Sequence, residues 1–203
     1  MELFENLSDS SKNLLPCDGI LNYYGRVLSP DKAIYYFERL LQNVQWSHDQ
    51  AIIFGKLITT KRKVAWYGDE YYDYTYSKTT KKALMWTKEL LVLRAIVEEM
   101  TNETYNSCLL NLYHTGDEGM AWHNDAEKDL KRNGAIASIS LGADRKFVLK
   151  HKETGEKVTL LLEHGSLLVM KGTTQSNWLH SLPKSKKVTA ARVNLTFRTI
   201  AQF

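Results

Sequence analysis

Apolar residues recur at helical spacing in two stretches of the first half of the chain. The first opens with Ser29 and Pro30, which are typical of a helix N-terminus because serine caps free N–H groups and proline fits the first turn. Its predicted buried stripe is Ala33, Phe37, Leu40 and Leu41. The second predicted helix covers about residues 87–100, and its stripe is Leu90, Leu93, Val97 and Met100.

From about residue 107 onward the pattern changes to short strands broken by turns. The clearest of these strands is 192–198, in which polar and apolar side chains alternate strictly. A period of two places the polar side chains on one face of a strand and the apolar side chains on the other. The polar face carries Arg192, Asn194, Thr196 and Arg198.

This polar face has two interpretations, which the pattern alone does not separate. A buried face requires an anion to meet the two arginines, because an unpaired buried charge is very costly. Alternatively the face is open to water, as one face of an antiparallel sheet often is. Asn111 and Tyr113, which alternate with Leu110 and Leu112, form a second polar face with groups suited to a carboxylate. Arginine suits the same ligand because its planar fork donates two parallel hydrogen bonds.

Metal chemistry is indicated by His123 and Asp125, which form a His-x-Asp step, together with the distal His180. Two imidazoles and one carboxylate on one face of iron(II) leave the opposite positions free for a co-substrate and O₂. The triplet alone is a weak signal, because histidine and aspartate are common enough to meet by chance. The remaining histidines lack partners at ligand spacing, and we expect none of them to bind metal: His48, His114, His151 and His164.

Taken together and in order, these motifs resemble the AlkB family of 2-oxoglutarate-dependent nucleic-acid demethylases, and its DNA-repair branch in particular. The resemblance rests on Asn111-x-Tyr113-x-x-Gly116, His123-x-Asp125, His180 and the strand 192–198, with further agreement at 138–142 and 162–170. It covers about residues 54–198. Several ordered motifs at compatible spacing are far more specific than any one of them.

The resemblance implies a role for each motif residue. His123, Asp125 and His180 would be the iron(II) ligands and the catalytic centre, with 2-oxoglutarate and O₂ as co-substrates. Arg192 would form a salt bridge to the distal carboxylate of 2-oxoglutarate, with Tyr113 assisting. Three further side chains would line the rest of that pocket: Asn111, Asn194 and Arg198.

The substrate side is predicted upstream, where the basic run 61–63 is followed by aromatic residues up to residue 76. Cations meet phosphates and rings stack on unpaired bases, although alternating aromatics are more often the core of a hairpin. The resemblance implies a nucleotide-recognition lid at about 50–82, with Trp66 and Tyr67 at the base. Phe54 is the candidate wedge in the base stack, or else a core residue. Glu127 would contact the flipped base, or else is a solvated loop acid.

The activity that the resemblance implies is oxidative demethylation of 1-methyladenine and 3-methylcytosine in DNA, a direct-reversal repair that releases formaldehyde, succinate and CO₂. One alternative is a 2-oxoglutarate oxygenase acting on RNA, a protein or a small molecule. Another is a non-catalytic nucleic-acid-binding module, against which the complete set of metal and arginine residues argues. The sequence does not rank DNA against RNA, or single strands against duplexes.

The fold expected is α+β, with N-terminal helices that buttress a double-stranded β-helix, or jelly-roll, core. A length of 203 residues suits one domain over 1–203, with about 1–16 loosely held. The net charge of +4 permits contact with nucleic acid without proving it. Cys17 and Cys108 have no zinc spacing. No leader or membrane span is visible, so we expect a protein that is not secreted and that is cytoplasmic in a bacterium or nuclear in a eukaryote. We also expect a monomer.

Overall fold

The computed structural model describes residues 11–53, 56–76 and 79–201 of the chain. Its helices are α1 (Pro30–Asn43), α2 (Lys88–Thr101) and the short α3 (Thr174–Asn177). Its strands are, in chain order, β1 (Ile20–Arg26), β2 (Ser47–Ile53), β3 (Lys56–Gly68), β4 (Asp73–Tyr76), β5 (Thr79–Lys82), β6 (Leu84–Met85), β7 (Ser107–Tyr113), β8 (Met120–His123), β9 (Ile136–Gly142), β10 (Arg145–His151), β11 (Lys157–Leu162), β12 (Ser166–Lys171), β13 (Trp178–Leu182) and β14 (Arg192–Arg198).

Both long helices lie where the hydrophobic pattern predicts them. Ser29 caps α1 through a hydrogen bond that its side chain accepts from the backbone N–H of Lys32, and Thr87 caps α2 in the same way. The predicted stripe of α2 is wrong at its last position, since Met100 is 37% exposed. Thr101 takes the buried place instead, because it lies four residues after Val97 and therefore on the same face of the helix.

The described strands form two principal sheets. The larger has the order β1-β12-β9-β14-β7-β3-β2, with β6 beside β3, and the smaller has the order β11-β10-β13-β8. One hydrophobic core lies between the larger sheet and helices α1 and α2. A second core lies between the two sheets and includes Leu168, Leu149 and Trp178. Two facing sheets backed by helices confirm the predicted α+β double-stranded β-helix.

Strand β14 decides between the two interpretations of its polar face. Val193, Leu195 and Phe197 pack in the core on the helix side of the larger sheet. Arg192 and Arg198 point to the other side, toward the smaller sheet, and both are buried. The polar face is therefore enclosed between the two sheets and does not face water.

The described residues before β1 are hydrogen-bonded to the rest of the fold. Asn13 accepts hydrogen bonds from the backbone N–H groups of Leu15 and Leu21, and its amide donates to the carbonyl of Gly19. Leu15 is buried against the inter-sheet core. None of the helices in the described ranges is long and apolar enough to cross a membrane.

Candidate metal centre and its cavity

The three predicted metal ligands converge between the sheets. His123 ends β8, Asp125 follows two residues later, and His180 lies opposite His123 on the adjacent strand β13. The Nε2 atom of His123 is 3.8 Å from Asp125 Oδ1, and that of His180 is 4.0 Å from Asp125 Oδ2. One donor atom from each residue lies within 4.8 Å of the others. Strand pairing therefore unites ligands that are far apart in the sequence.

The hydrogen bonding of His123 and the burial of His180 both suit metal binding. His123 Nδ1 lies 2.8 Å from the carbonyl oxygen of Ala121, to which it donates, so its Nε2 lone pair faces the other ligands. Burial lowers the pKa of His180 to about 4, although the charge of Asp125 opposes the shift. His180 is therefore neutral near pH 7, as a metal-binding imidazole must be.

Asp125 is held as a carboxylate by its neighbours. Burial on its own raises the pKa of Asp125, but the charge of the Arg198 guanidinium is the largest opposing effect, and the net shift of the pKa is downward. Arg198 donates a hydrogen bond of 2.9 Å to Asp125 Oδ2. The second oxygen of the carboxylate remains on the side of the histidines.

Gln175, in α3, positions the ligand-bearing loop and was missed by the sequence analysis. Its side-chain oxygen accepts from the backbone N–H of Asp125 at 2.9 Å, and its carbonyl accepts from the Asn124 amide at 2.7 Å. Its partners lie 50 and 51 residues away along the chain, and no local pattern signals the contact.

Arg192 is a fully enclosed cation without an acidic partner among the described residues. It is 2% exposed, and its Nη2 donates to two neutral acceptors, Ser140 Oγ at 2.9 Å and Asn194 Oδ1 at 2.7 Å. Its Nε has no hydrogen-bond partner. Burial lowers the pKa of Arg192 to about 10, with the nearby Tyr113 phenol opposing the shift and Arg145 adding to it. A buried guanidinium in this state is a receptor for an anion.

Asn194 orients Arg192 more than it offers groups to a ligand. Its oxygen accepts from Arg192 and from Ser138 Oγ, and its amide donates to Thr196 Oγ1 at 2.8 Å. The amide is thus satisfied by three protein groups. Tyr113 lies beside this network, with the guanidinium of Arg192 5.6 Å from its ring centre.

Asn111 is oriented by a buried ion pair that the sequence analysis did not predict. Its Oδ1 accepts a short hydrogen bond from Arg62, and Arg62 also donates to the carboxylate of Asp49. The amide N–H₂ of Asn111 is therefore the group available to a ligand. Arg62 belongs to the basic run interpreted as a phosphate contact, yet its charge is used inside the fold. A signal was present in the sequence, because Arg62, Val64 and Trp66 are spaced two residues apart along β3 and therefore share one face, which lines the cavity.

These groups share one cavity of about 390 Å³ between the two sheets. The metal triad, the residues around Arg192, and Asn111 all line it. Its remaining wall is largely apolar and includes Met120, Phe147, Leu162, Leu168 and Leu182. The volume suits a small co-substrate together with one further planar group.

Two of the four residues predicted to contact the substrate line the cavity. Trp66, 3% exposed, lines the cavity and packs with Ala83 and Ile200, and Glu127 lines the cavity near the triad. Tyr67 is not brought to the cavity: it lies in the core behind the sheet, and its hydroxyl accepts from the backbone N–H of Gln45. Adjacent strand residues point to opposite faces, so Trp66 and Tyr67 do not share one. Phe54 lies outside the described residues.

Comparison with known proteins agrees with this geometry. The model of the 2OG-Fe(II) oxygenase superfamily matches residues 21–198. Human DNA oxidative demethylase ALKBH2 is 41% identical over 84% of the chain, and human alpha-ketoglutarate-dependent dioxygenase alkB homolog 3 is 39% identical over 83%. The chain spans 66% and 62% of the lengths of these two relatives, less than two thirds.

The fold alone is also shared with a more distant solved structure. An oxidoreductase of the 2OG-Fe(II) oxygenase family from Burkholderia pseudomallei superposes with a TM-score of 0.62 at 13% identity. The match covers 97% of this chain and 91% of the other. At this identity the likeness concerns the arrangement of strands.

Proposed function

The chain belongs to the AlkB family of the 2OG-Fe(II) oxygenase superfamily, and on this premise we propose that it is a DNA oxidative demethylase. Its proposed substrates are N-alkylated bases, 1-methyladenine and 3-methylcytosine, and its products are the repaired base, formaldehyde, succinate and CO₂. The observation that carries the proposal is the placement of the triad beside Arg192, a buried cation with no acidic partner among the described residues, within one cavity.

The residues present fit both groups that the family requires. His123, Asp125 and His180 would hold iron(II), since two imidazoles and one carboxylate converge. Arg192 would bind the distal carboxylate of 2-oxoglutarate, with Asn111 and Tyr113 beside it, because its Nε has no partner. When bound, iron(II) and 2-oxoglutarate supply the oxidation of the methyl carbon by O₂, and the hydroxymethyl base then loses formaldehyde.

The side chains of the cavity bind and orient the metal and the co-substrate, and they exclude water. Arg198 keeps Asp125 ionised, and Gln175 fixes the backbone between the ligands. The Asp49–Arg62 pair presents the amide N–H₂ of Asn111 to the co-substrate. The apolar wall leaves few partners for stray water around the reacting carbon, which disfavours unproductive hydrolysis and leakage of oxidant.

The side chains near Trp66 and Glu127, at the end of the cavity proposed to bind the base, suit a cationic, planar substrate. A base must leave the stack to reach an enclosed centre, and lesions that cannot pair cost less to extrude. 1-Methyladenine and 3-methylcytosine carry positive charge, which the Glu127 carboxylate favours. Trp66 offers an aromatic wall to the base. The lid over about 50–82 and the wedge role of Phe54 belong to this proposal, together with a monomer that acts on DNA in the compartment of the genome.

The test is incubation with methylated oligonucleotide, iron(II), ascorbate and 2-oxoglutarate, with formaldehyde and repaired base as readouts. We expect stoichiometric formaldehyde, succinate and repaired base, and no formaldehyde from the unmethylated oligonucleotide. Matched single-stranded, duplex and RNA substrates rank the polymers. Succinate formation without any loss of methyl from these substrates would reject the proposal in favour of an oxygenase of a protein or small molecule.

Trp66→Phe is the matched variant for the base wall. It keeps a ring in the space between Ala83 and Ile200, so the fold should persist. We expect slower demethylation with uncoupled succinate formation retained. Equal loss of both activities would place Trp66 in the framework of the cavity and not at the base.

A further inference from the structure

A second cluster of metal-ligating side chains lies where the segment before β1 meets strands β10 and β13. It consists of Cys17, Asp18 and His151, and one donor atom from each lies within 4.8 Å of the others. None of these residues belongs to the triad of the cavity. Sequence spacing supplied no partner for His151, but the fold brings residues more than 130 positions away to its ring.

His151 carries the strongest sign of a ligand. It is 3% exposed, and the ring of Trp178 packs edge-on against it at 5.0 Å. Its Nε2 atom is buried without a hydrogen-bond partner and lies 3.3 Å from Asp18 Oδ2. The contact with Asp18 is at ion-pair distance but lacks hydrogen-bond geometry, which leaves this buried nitrogen poorly satisfied in the metal-free protein. This nitrogen points at the carboxylate and thiol that complete the cluster.

We propose that Cys17 Sγ, the Asp18 carboxylate and His151 Nε2 form a binding site for a thiophilic divalent cation of the zinc class. Nitrogen and oxygen ligands about 2.0–2.1 Å from a tetrahedral zinc lie about 3.3 Å from each other, as His151 and Asp18 already do. A sulfur, nitrogen and oxygen set favours zinc over magnesium or calcium. Since Cys17 and Asp18 are exposed, the fourth position is open to water.

The backbone that carries the two exposed ligands is held in place. The carbonyl of Cys17 accepts from Trp178 Nε1 at 3.1 Å, and that of Asp18 accepts from the Asn177 amide at 3.2 Å. Asp18 has a φ of 51°, a left-handed conformation uncommon outside glycine. The Lys152 ammonium donates to the carbonyls of Gln175 and Ser176, and among the described residues it forms no ion pair with Asp18.

Metal binding would couple to the tautomer of His151. The Nδ1 atom lies 3.2 Å from both the backbone N and the Oγ1 of Thr154. Without metal, Nδ1 accepts from the Thr154 N–H and the proton sits on Nε2. With metal on Nε2, the proton moves to Nδ1 and is donated to Thr154 Oγ1, and the hydrogen bond from the Thr154 N–H is lost. A hydroxyl oxygen that accepts from Nδ1 is an outer partner of the kind that orients metal-bound histidines. The Cys17 thiol releases its proton to solvent, so one proton leaves per cation bound.

The consequence is a cross-link between the N-terminal segment and the end of β10. Trp178, which packs on His151, is two residues before the triad ligand His180 on the same strand. A cation at the cluster would therefore fasten the N-terminal segment to the strand that carries part of the catalytic centre. The ligand sets differ in one useful respect, because only the proposed site contains a thiol.

Cobalt(II) substitution tests the proposal without measuring activity. The reduced, chelator-stripped protein is titrated with cobalt(II), and thiolate-to-cobalt charge transfer is followed in the near ultraviolet. The triad contains no sulfur, and the only other cysteine, Cys108, is fully buried in the core. Because the triad also takes cobalt(II), we expect a charge-transfer band that saturates by two equivalents, disappears in Cys17→Ser and persists in Cys108→Ala.

Thr154→Val provides the finer control. It removes the Oγ1 acceptor but keeps the backbone N–H, and we expect cobalt affinity at the charge-transfer site to fall by about tenfold. Absence of the band in the native protein with excess cobalt would overturn the proposal, as would its persistence in Cys17→Ser. Either result leaves the proposed demethylase activity untouched, since neither concerns the triad.

Discussion

The cavity has two ends, which are built from different parts of the chain. The proposed co-substrate end surrounds Arg192, and the proposed base end includes Trp66 and Glu127. At the co-substrate end, Arg192, Asn194 and Asn111 lie on the neighbouring strands β14 and β7, and β9 adds Ser138 and Ser140. At the base end, Trp66 comes from β3 and Glu127 from the loop after β8. The first end is one continuous hydrogen-bonded patch of a single sheet, whereas the second is assembled from separate elements.

This difference follows from the ligands. The co-substrate end receives one small dianion, so the charge and hydrogen bonds can be fixed in advance on adjacent strands. The base end, on the proposed function, receives part of a polymer, which brings its own shape and its own contacts. We therefore expect substitutions at the co-substrate end to stop 2-oxoglutarate turnover itself, and substitutions at the base end to uncouple that turnover from demethylation.

The largest effect is expected at the metal triad, on which both ends depend. Asp125→Asn removes the only anionic ligand and leaves the charge of Arg198 without its carboxylate partner at Asp125. We expect loss of stoichiometric iron and a decrease in both succinate and formaldehyde formation of about 10³-fold or more. Iron analysis and turnover on the same preparation check this. Full iron content with normal turnover would dismiss Asp125 as a ligand.

Arg192→Met is expected to have the next largest effect, with opposite signs on activity and stability. It removes the charge proposed to bind 2-oxoglutarate, so KM for 2-oxoglutarate should rise by about 10²-fold or more. The protein without co-substrate should become more stable by roughly 1–4 kcal/mol, because a buried cation with no carboxylate partner among the described residues is replaced by an apolar side chain. Kinetics and denaturant unfolding measure the two effects. A destabilised protein with unchanged KM would contradict the role of Arg192 as an anion receptor.

The same contrast explains what the sequence could and could not reveal. The co-substrate end is specified by period-two alternation within single strands, so Arg192, Asn111 and the direction of their side chains were predictable. The same alternation along β3 indicates that Arg62 faces the cavity and that Tyr67 faces the opposite side of the sheet. It therefore argues against a contact between Tyr67 and the base. The partners Asp49 and Gln175 were not predictable, because their contacts depend on how distant segments pair and no local period encodes that register.

The support of Asn111 can be broken without leaving a buried charge. Asp49→Leu combined with Arg62→Met removes both members of the ion pair, so stability should change little, whereas Asp49→Leu alone should cost about 3–5 kcal/mol. In the double variant the Asn111 amide loses its orienting donor, and KM for 2-oxoglutarate should rise by roughly tenfold. Unfolding and steady-state kinetics on the double variant and both single variants separate the two roles. An unchanged KM would confine the pair to stability.

Glu127→Gln should give the smallest effect and the clearest separation of the two ends. The change keeps the shape of the side chain and removes its charge, which acts on the base and not on the co-substrate. A single partly solvated charge contributes roughly 1 kcal/mol, so kcat/KM for the cationic lesions 1-methyladenine and 3-methylcytosine should fall about fivefold. KM for 2-oxoglutarate should be unchanged, and a neutral N-methylated base such as 3-methylthymine should lose less. Equal losses on cationic and neutral lesions would mean that Glu127 shapes the wall without reading charge, and the base end would then select its substrate through packing alone.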